Sequence, residues 1–188
     1  PFWRQMRKIA TLELLSNRRL EMLKHVRVSE LNMGMRDLYN SLVQNGSNTV
    51  LVELNRWLED LTLNMVVRMV AGKRYFGASA SCDDDEARRC QKAINQFFHL
   101  IGIFVVSDAV PFLRWFDEQG HERAMKKTAN DLDDILEGWL KEHRDQRVDG
   151  VKAEGEQDFI DVMLALQKGG HLSNFQYDSD TSIKSTCL

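Results

Sequence analysis

The chain has 188 residues, 43% of them hydrophobic and 28% charged, with a formal net charge of −3. That length suffices for one domain with a sizeable core or for part of a larger one, and the balance excludes a disordered chain and argues against a nucleic-acid binder, whose domain would be basic. No run reaches the roughly 18 apolar residues that a membrane-spanning helix needs, and the first residues lack the order of a signal peptide. With two prolines and apolar residues recurring at steps of three and four, helices should dominate.

In chain order, the spacing predicts a first helix over 3–16, with Pro1 suited to its first turn, and a longer one over 19–45. The longer helix places Leu31, Met35, Leu38 and Leu42 on one apolar stripe and closes at Asn45-Gly46. The β-branched run "TVLVEL" comes after turn residues, so 49–53 is expected to be a short strand at a sheet edge. A helix over 55–71 carries Trp57, Leu58, Leu61, Met65 and Met69 on so much of its circumference that it should be central to the core, and Gly72 ends it.

After a polar loop, a helix over 86–104 starts with acids that suit the positive end of its dipole. The stretch "VVSDAVPFLRWFD" is apolar without period and is broken at Pro111. A long helix over 118–147 points Met125, Leu132, Ile135, Leu136, Trp139 and Leu140 inward, and Lys126, Asp133, Glu137 and Lys141 outward. A polar, glycine-containing connector leads to a short helix over 158–168, stopped by Gly169-Gly170, and "TSIKSTCL" opens one more. Both ends fall inside helical pattern, so 1–188 is expected to be part of a single larger domain.

Several short motifs have plain readings. "DDDE" at 83–86 is one residue short of a magnesium–pyrophosphate box, since position 87 is Ala87, and it suits a helix N-terminus. "DLDD" at 131–134 spells a proton-donor box but lies on a polar helix face, without the shielding that keeps an acid protonated. Glu53/Arg56 and Glu86/Arg89 are glutamate–arginine pairs of the kind common on helix surfaces. Cys82, Cys90 and Cys187 have no CxxC spacing and no histidine pair nearby, so neither a disulfide framework nor a metal site is expected. The five histidines form no HExxH, His99 beside Phe97 and Phe98 reads as a half-buried imidazole, and no GxSxG or phosphate-cradling glycine loop occurs.

Trp3 and Arg7 stand one turn apart on the first helix, where an indole N–H and a guanidinium can face one anionic group, or where a surface cation simply stacks on an aromatic. "FWRQMRKIATLELLS" resembles the C-helix signature of plant cytochrome P-450 monooxygenases, in which a WxxxR pair contacts a haem propionate. "LTLNMVVRMVAGKRYFG" is similar to the E-helix region of the same enzymes, "SDAVPFLRWFD" to their F–G connection, "DFIDVML" to their H helix and "DTSIKSTCL" to the approach to their I helix. These matches keep the family's order along the whole chain, and they are closest to the A-type branch of specialised metabolism.

The resemblance implies a mainly α fold, the central helical part of the cytochrome P-450 fold from helix C to the start of helix I, with one short strand near 49–53. It implies haem b in the intact protein, oriented by Trp3 and Arg7, with electrons from NADPH through NADPH-cytochrome reductase at the cytosolic face of the endoplasmic reticulum membrane. The implied reaction oxidises a small lipophilic plant metabolite, and His99, Ile101, Gly102, Phe104, Val105 and Val110 are candidates to line its pocket. The apolar segment 110–116 is expected to touch the membrane surface. The family's FxxGxRxCxG haem-cysteine loop, its AGxDT turn, its K-helix ExxR and its N-terminal anchor are not among these residues. The chain by itself is therefore expected to hold no catalytic residue and to be inactive. The alternative is a non-catalytic, all-α interaction module that docks through the 118–147 helix, or a nonfunctional remnant.

Overall fold

α-Helices dominate the computed structural model, which describes residues 2–45, 49–77, 84–103, 120–147, 157–170 and 178–188. They are α1 (Phe2–Ile9), α2 (Asn17–Met22), α3 (Lys24–Gln44), α4 (Leu54–Ala71), α5 (Asp84–Ile101), α6 (His121–Gln146), α7 (Phe159–Lys168) and α8 (Ser179–Cys187), with a π-helical turn over Ala10–Leu14. The chain divides into two compact units, residues 1–82 with 140–188, and residues 83–139.

Three expected boundaries differ. The first predicted helix is α1 and then the π turn, whose wider ring is closed by the Leu15 N–H donating to the Ala10 carbonyl at 3.0 Å. The second is interrupted at Leu23, which takes φ −85° and ψ 3° and buries its side chain, so α2 ends there and α3 starts anew. Ser16 caps α2 by accepting from the Arg19 N–H. Residues 49–53 form no strand, and no strand occurs among the described residues. β-Branched composition favours a pleated surface only where a neighbouring strand supplies one, and here Leu51 is fully exposed.

In the larger unit α7 is the hub, touching α4, α8 and the π turn. Phe159, Ile160, Val162, Met163 and Leu164 are all buried, so α7 is enclosed nearly all round, each large side chain contributing about 1.5–3 kcal/mol. Helix α4 is less enclosed than its sequence suggests. It buries Asn64, Val67, Val70 and Ala71, while Leu58 and Val66 stay exposed.

Helix α3 turns most of its apolar stripe outward, with Leu38 half-buried. Leu31, Met35 and Leu42 face outward, and the inward stripe is Leu23, Val26, Glu30 and Gly34. The reason is Glu30, whose side chain is wholly buried and ion-paired to Arg68 of α4 and, at 3.0 Å, to Arg74. A buried carboxylate is tolerated only when it is paired and hydrogen-bonded, so α3 must turn this face toward α4. Gly34 lets the helices close, since a Cβ there would lie 3.3 Å from Leu61 Cδ1 and 3.4 Å from Trp57 Cζ2. The segment after α4 is held by Asn64, whose amide donates to the Phe76 carbonyl at 2.9 Å and whose oxygen accepts from the Tyr75 and Phe76 N–H groups at 3.0 Å. Gly77 comes next at φ +97°, against the Arg74–Asp37 pair.

In the smaller unit α5 buries Ala87, Cys90, Ala93 and Leu100. Helix α6 buries Leu132, Ile135, Leu136 and Trp139, and its last turns, from Leu140, belong to the larger unit. As predicted, Lys126, Asp133, Glu137 and Lys141 are outside.

Replacing Glu30 by Gln removes the buried carboxylate shared by Arg68 and Arg74 and leaves Arg74 the longer contact to Asp37, and we expect a loss of about 3 kcal/mol, read as a lower urea midpoint of the intact protein. Gly77→Ala is expected to cost about 1–3 kcal/mol, because its Cβ would meet Asp37 Oδ2 at 2.6 Å in a left-handed backbone.

Candidate functional site

Helix α1 brings Trp3 and Arg7 together. The Arg7 Cζ lies 5.2 Å from the centroid of the Trp3 ring, a cation–π stack, and Trp3 is 69% exposed. Arg4, Arg7 and Lys8 share this helix with no acid, and Arg7 has no ion pair among the described residues. Its N–H donors and the indole N–H are therefore available to an external anion. The helix is also tied down: Thr186 Oγ1 of α8 lies 3.3 Å from Met6 Sδ, and the π turn packs on α7. A planar carboxylate is the partner this donor set suits best. It offers no base or nucleophile.

The second group of predicted residues lies at the end of α5, in the other unit. Ile101 is 66% exposed and Phe98 is equally open, and His99 and Gly102 are also exposed, while Leu100 turns inward. His99 is thus not the half-buried imidazole that its aromatic neighbours suggest, because Phe97 and Phe98 pack edge-to-face on each other, 5.7 Å between centroids. Phe104, Val105, Val110 and the segment 110–116 lie outside the described residues. In "DLDD" Asp133 and Asp134 are exposed on α6, Leu132 is buried and Asp131 is half-buried.

The polar centre that sequence reasoning missed is His143, Asp158 and Asp161, all buried, with their ligand-capable atoms within 4.8 Å of one another. Both Asp158 oxygens are engaged. Oδ1 accepts from the Asp161 N–H at 3.0 Å and caps α7, and Oδ2 is 2.8 Å from His143 Nε2. Arg147 donates to the Asp161 carbonyl at 2.8 Å. Through its two oxygens Asp158 joins the end of α6, at His143, to the start of α7. The Asp158-x-x-Asp161 cap was legible, but the histidine 15 residues away carried no local signal.

Asp180 at the start of α8 accepts from Arg144 Nη1 at 2.8 Å and from Gln167 Nε2 at 3.1 Å. The Arg144 hydrogen bond is the main reason its carboxyl titrates below the ordinary range, and partial burial opposes it. Burial chiefly, with the charge of Asp158 adding, pushes the Cys187 thiol up to about 12.

The chain belongs to the cytochrome P450 family, whose profile matches residues 1–187. It is 62% identical to xanthotoxin 5-hydroxylase of Arabidopsis thaliana, over 100% of this chain and 36% of that protein. It is 51% identical to strychnine-10-hydroxylase of Strychnos nux-vomica, over 100% of the chain and 36% of that protein. It is also 47% identical to flavonoid-6-hydroxylase of Mentha piperita, over 99% of the chain and 35% of that protein. The chain thus spans about a third of the length of these relatives. The resemblance read from the C-, E- and H-helix stretches and the mainly α fold both agree with this membership.

A carboxyl whose titration is lowered by folding stabilises the native state above the ordinary carboxylate range and loses that contribution as pH falls through its folded value. Asp180→Asn should therefore lower the urea midpoint at neutral pH and flatten its fall as pH drops below the ordinary carboxylate range. Cys187, almost wholly protonated at pH 8, should react with iodoacetamide far more slowly than a free cysteine thiol, as measured by peptide mass spectrometry.

Proposed function

We propose that the chain is the helical middle of a haem-thiolate monooxygenase that hydroxylates a small, lipophilic, aromatic plant metabolite with O2 and electrons from NADPH. The observation that carries the reading is 62% identity to a xanthotoxin 5-hydroxylase along the whole chain. Relatives at 51% and 47% are likewise named as hydroxylases, of strychnine and of flavonoids. In this reading a coumarin-type ring system such as xanthotoxin is the first substrate to try.

Haem, when bound, supplies the activation of O2. The chain's own part is to hold and orient. The Arg7 guanidinium and the Trp3 indole N–H take the carboxylates of the cofactor, and the cationic, acid-free surface of α1 favours that charge. His99, Ile101 and Gly102, with Phe104, Val105 and Val110, line an apolar substrate pocket. The exposed apolar end of α5 supports the first three. The intact protein receives its electrons from NADPH-cytochrome reductase at the endoplasmic reticulum membrane, where the 110–116 segment meets the bilayer surface, and residues 1–188 alone are inactive.

The test is to express the full-length protein with a plant reductase, record the reduced carbon-monoxide spectrum and assay xanthotoxin turnover. We expect a haem-thiolate band and a hydroxylated product. Replacing both Trp3 and Arg7 by Ala should lower haem content severalfold while far-UV circular dichroism stays unchanged. Unaltered haem content in that double variant would remove the role given to the pair, and absence of any haem band would remove the function.

A further inference from the structure

Within the smaller unit, α5 and α6 face one another across a cavity of about 330 Å3, rimmed by Arg89, Lys92 and Gln96 from one helix and Lys127, Thr128 and Asp131 from the other. The spacing explains why these side chains meet. Positions 89, 92 and 96 keep to the three- and four-residue steps of one helical face, and 131 stands four residues after 127 and three after 128. Ala93 and Ala124 line the gap with side chains too small to fill it.

Charge is what distinguishes this cavity. Three cations stand against the single carboxylate of Asp131, and none of the four is engaged in an ion pair among the described residues. The cations one position away behave differently: Lys126 holds Glu122 at 2.6 Å and Arg88 reaches Asp85 at 4.0 Å. One turn before Lys127 and Lys92 the sequence has Arg123 and Arg88, which cannot neutralise them. The cavity therefore gathers positive charge that its own helices leave uncompensated, which is a standing attraction for an anion.

We propose that this cavity binds an organic phosphate monoester. A phosphate dianion matches the net charge of the rim, and its three oxygens suit Arg89, Lys92 and Lys127 together. The volume is well beyond that of inorganic phosphate and lies at the lower end of small-molecule sites. The organic body lies on the apolar wall of Ala93, Ala124 and Ile135, and Gln96, Thr128 and Asp131 bond its hydroxyls. This site does not depend on the monooxygenase reading, because no residue of it belongs to the haem-binding or substrate-lining sets.

The same phosphate chemistry is offered by a soluble ester or by the headgroup of phosphatidic acid, and two probes separate them. Glucose 6-phosphate is titrated calorimetrically into the full-length, haem-loaded protein in low salt. The same protein is then floated with vesicles of phosphatidylcholine, with and without phosphatidic acid. The proposal expects one-to-one, salt-sensitive binding of the sugar phosphate below about 1 mM, or vesicle capture that requires phosphatidic acid. Either binding should fall about tenfold in Lys127→Ala and further when Arg89→Ala is added, but hold in Lys127→Arg. Lys126→Ala, one position along and outside the cavity, should change nothing. Failure of both probes overturns the site, as does an equal loss in Lys126→Ala, which would reduce it to general surface charge. Circular dichroism confirms that each variant is folded.

Discussion

The structure from α2 to Gly77 depends on one buried negative charge. Removing Glu30 from water costs several kcal/mol unless its partners are close and its lone pairs are used. Arg68 and Arg74 satisfy both conditions, one from α4 and one from the segment beyond it. The charge thereby fixes the rotation of α3, the closeness of α3 to α4 at Gly34, and the path of the chain through Tyr75 and Phe76 that Asn64 secures. It also decides what stays outside. Leu31, Met35, Tyr39 and Val43 form an apolar ridge on α3 that no described residue covers. Ridges of this kind mark surfaces that other structure packs on, and the chain spans about a third of the relatives it matches.

Helix existence was readable wherever caps and periodicity agreed. Asp158 and Asp178 cap α7 and α8 where the polar-to-apolar change falls, Gly72 ends α4 in a left-handed conformation, and the inward face of α6 obeys the three-four pattern. Rotation was not readable for α3, because hydropathy counts Leu31 and Met35 as inward and has no term for an arginine pair 38 and 44 residues away. The strand failed for a similar reason: whether "TVLVEL" pleats is decided by a partner strand, which local composition does not contain. The His143–Asp158 joint was invisible as well, since its two halves lie on different elements.

The candidate site divides in the same way. The Trp3–Arg7 pair is local, so four-residue spacing was enough to place both side chains on one face, and the stack at 5.2 Å agrees. The end of α5 was legible as apolar, but the exposure of His99 was not, because its aromatic neighbours pack on each other and leave the imidazole to solvent. The cavity between α5 and α6 escaped sequence reasoning for a different reason. A run such as Arg88-Arg89 looks like one solvated patch, yet the helix sends its two members to different surroundings, one toward Asp85 and one toward a gap.

The π turn after α1 has one more implication. By inserting a residue into the helical repeat, it resets the angular phase of α1 relative to the rest of the larger unit, by about 100° per residue. The cationic stack is therefore aimed by backbone hydrogen bonding at Ala10–Leu14, well away from the two side chains being aimed. Shortening that bulge by one position would keep Trp3 and Arg7 stacked and intact while swinging them to another azimuth, so composition and contact within the pair would survive and only their bearing would be lost.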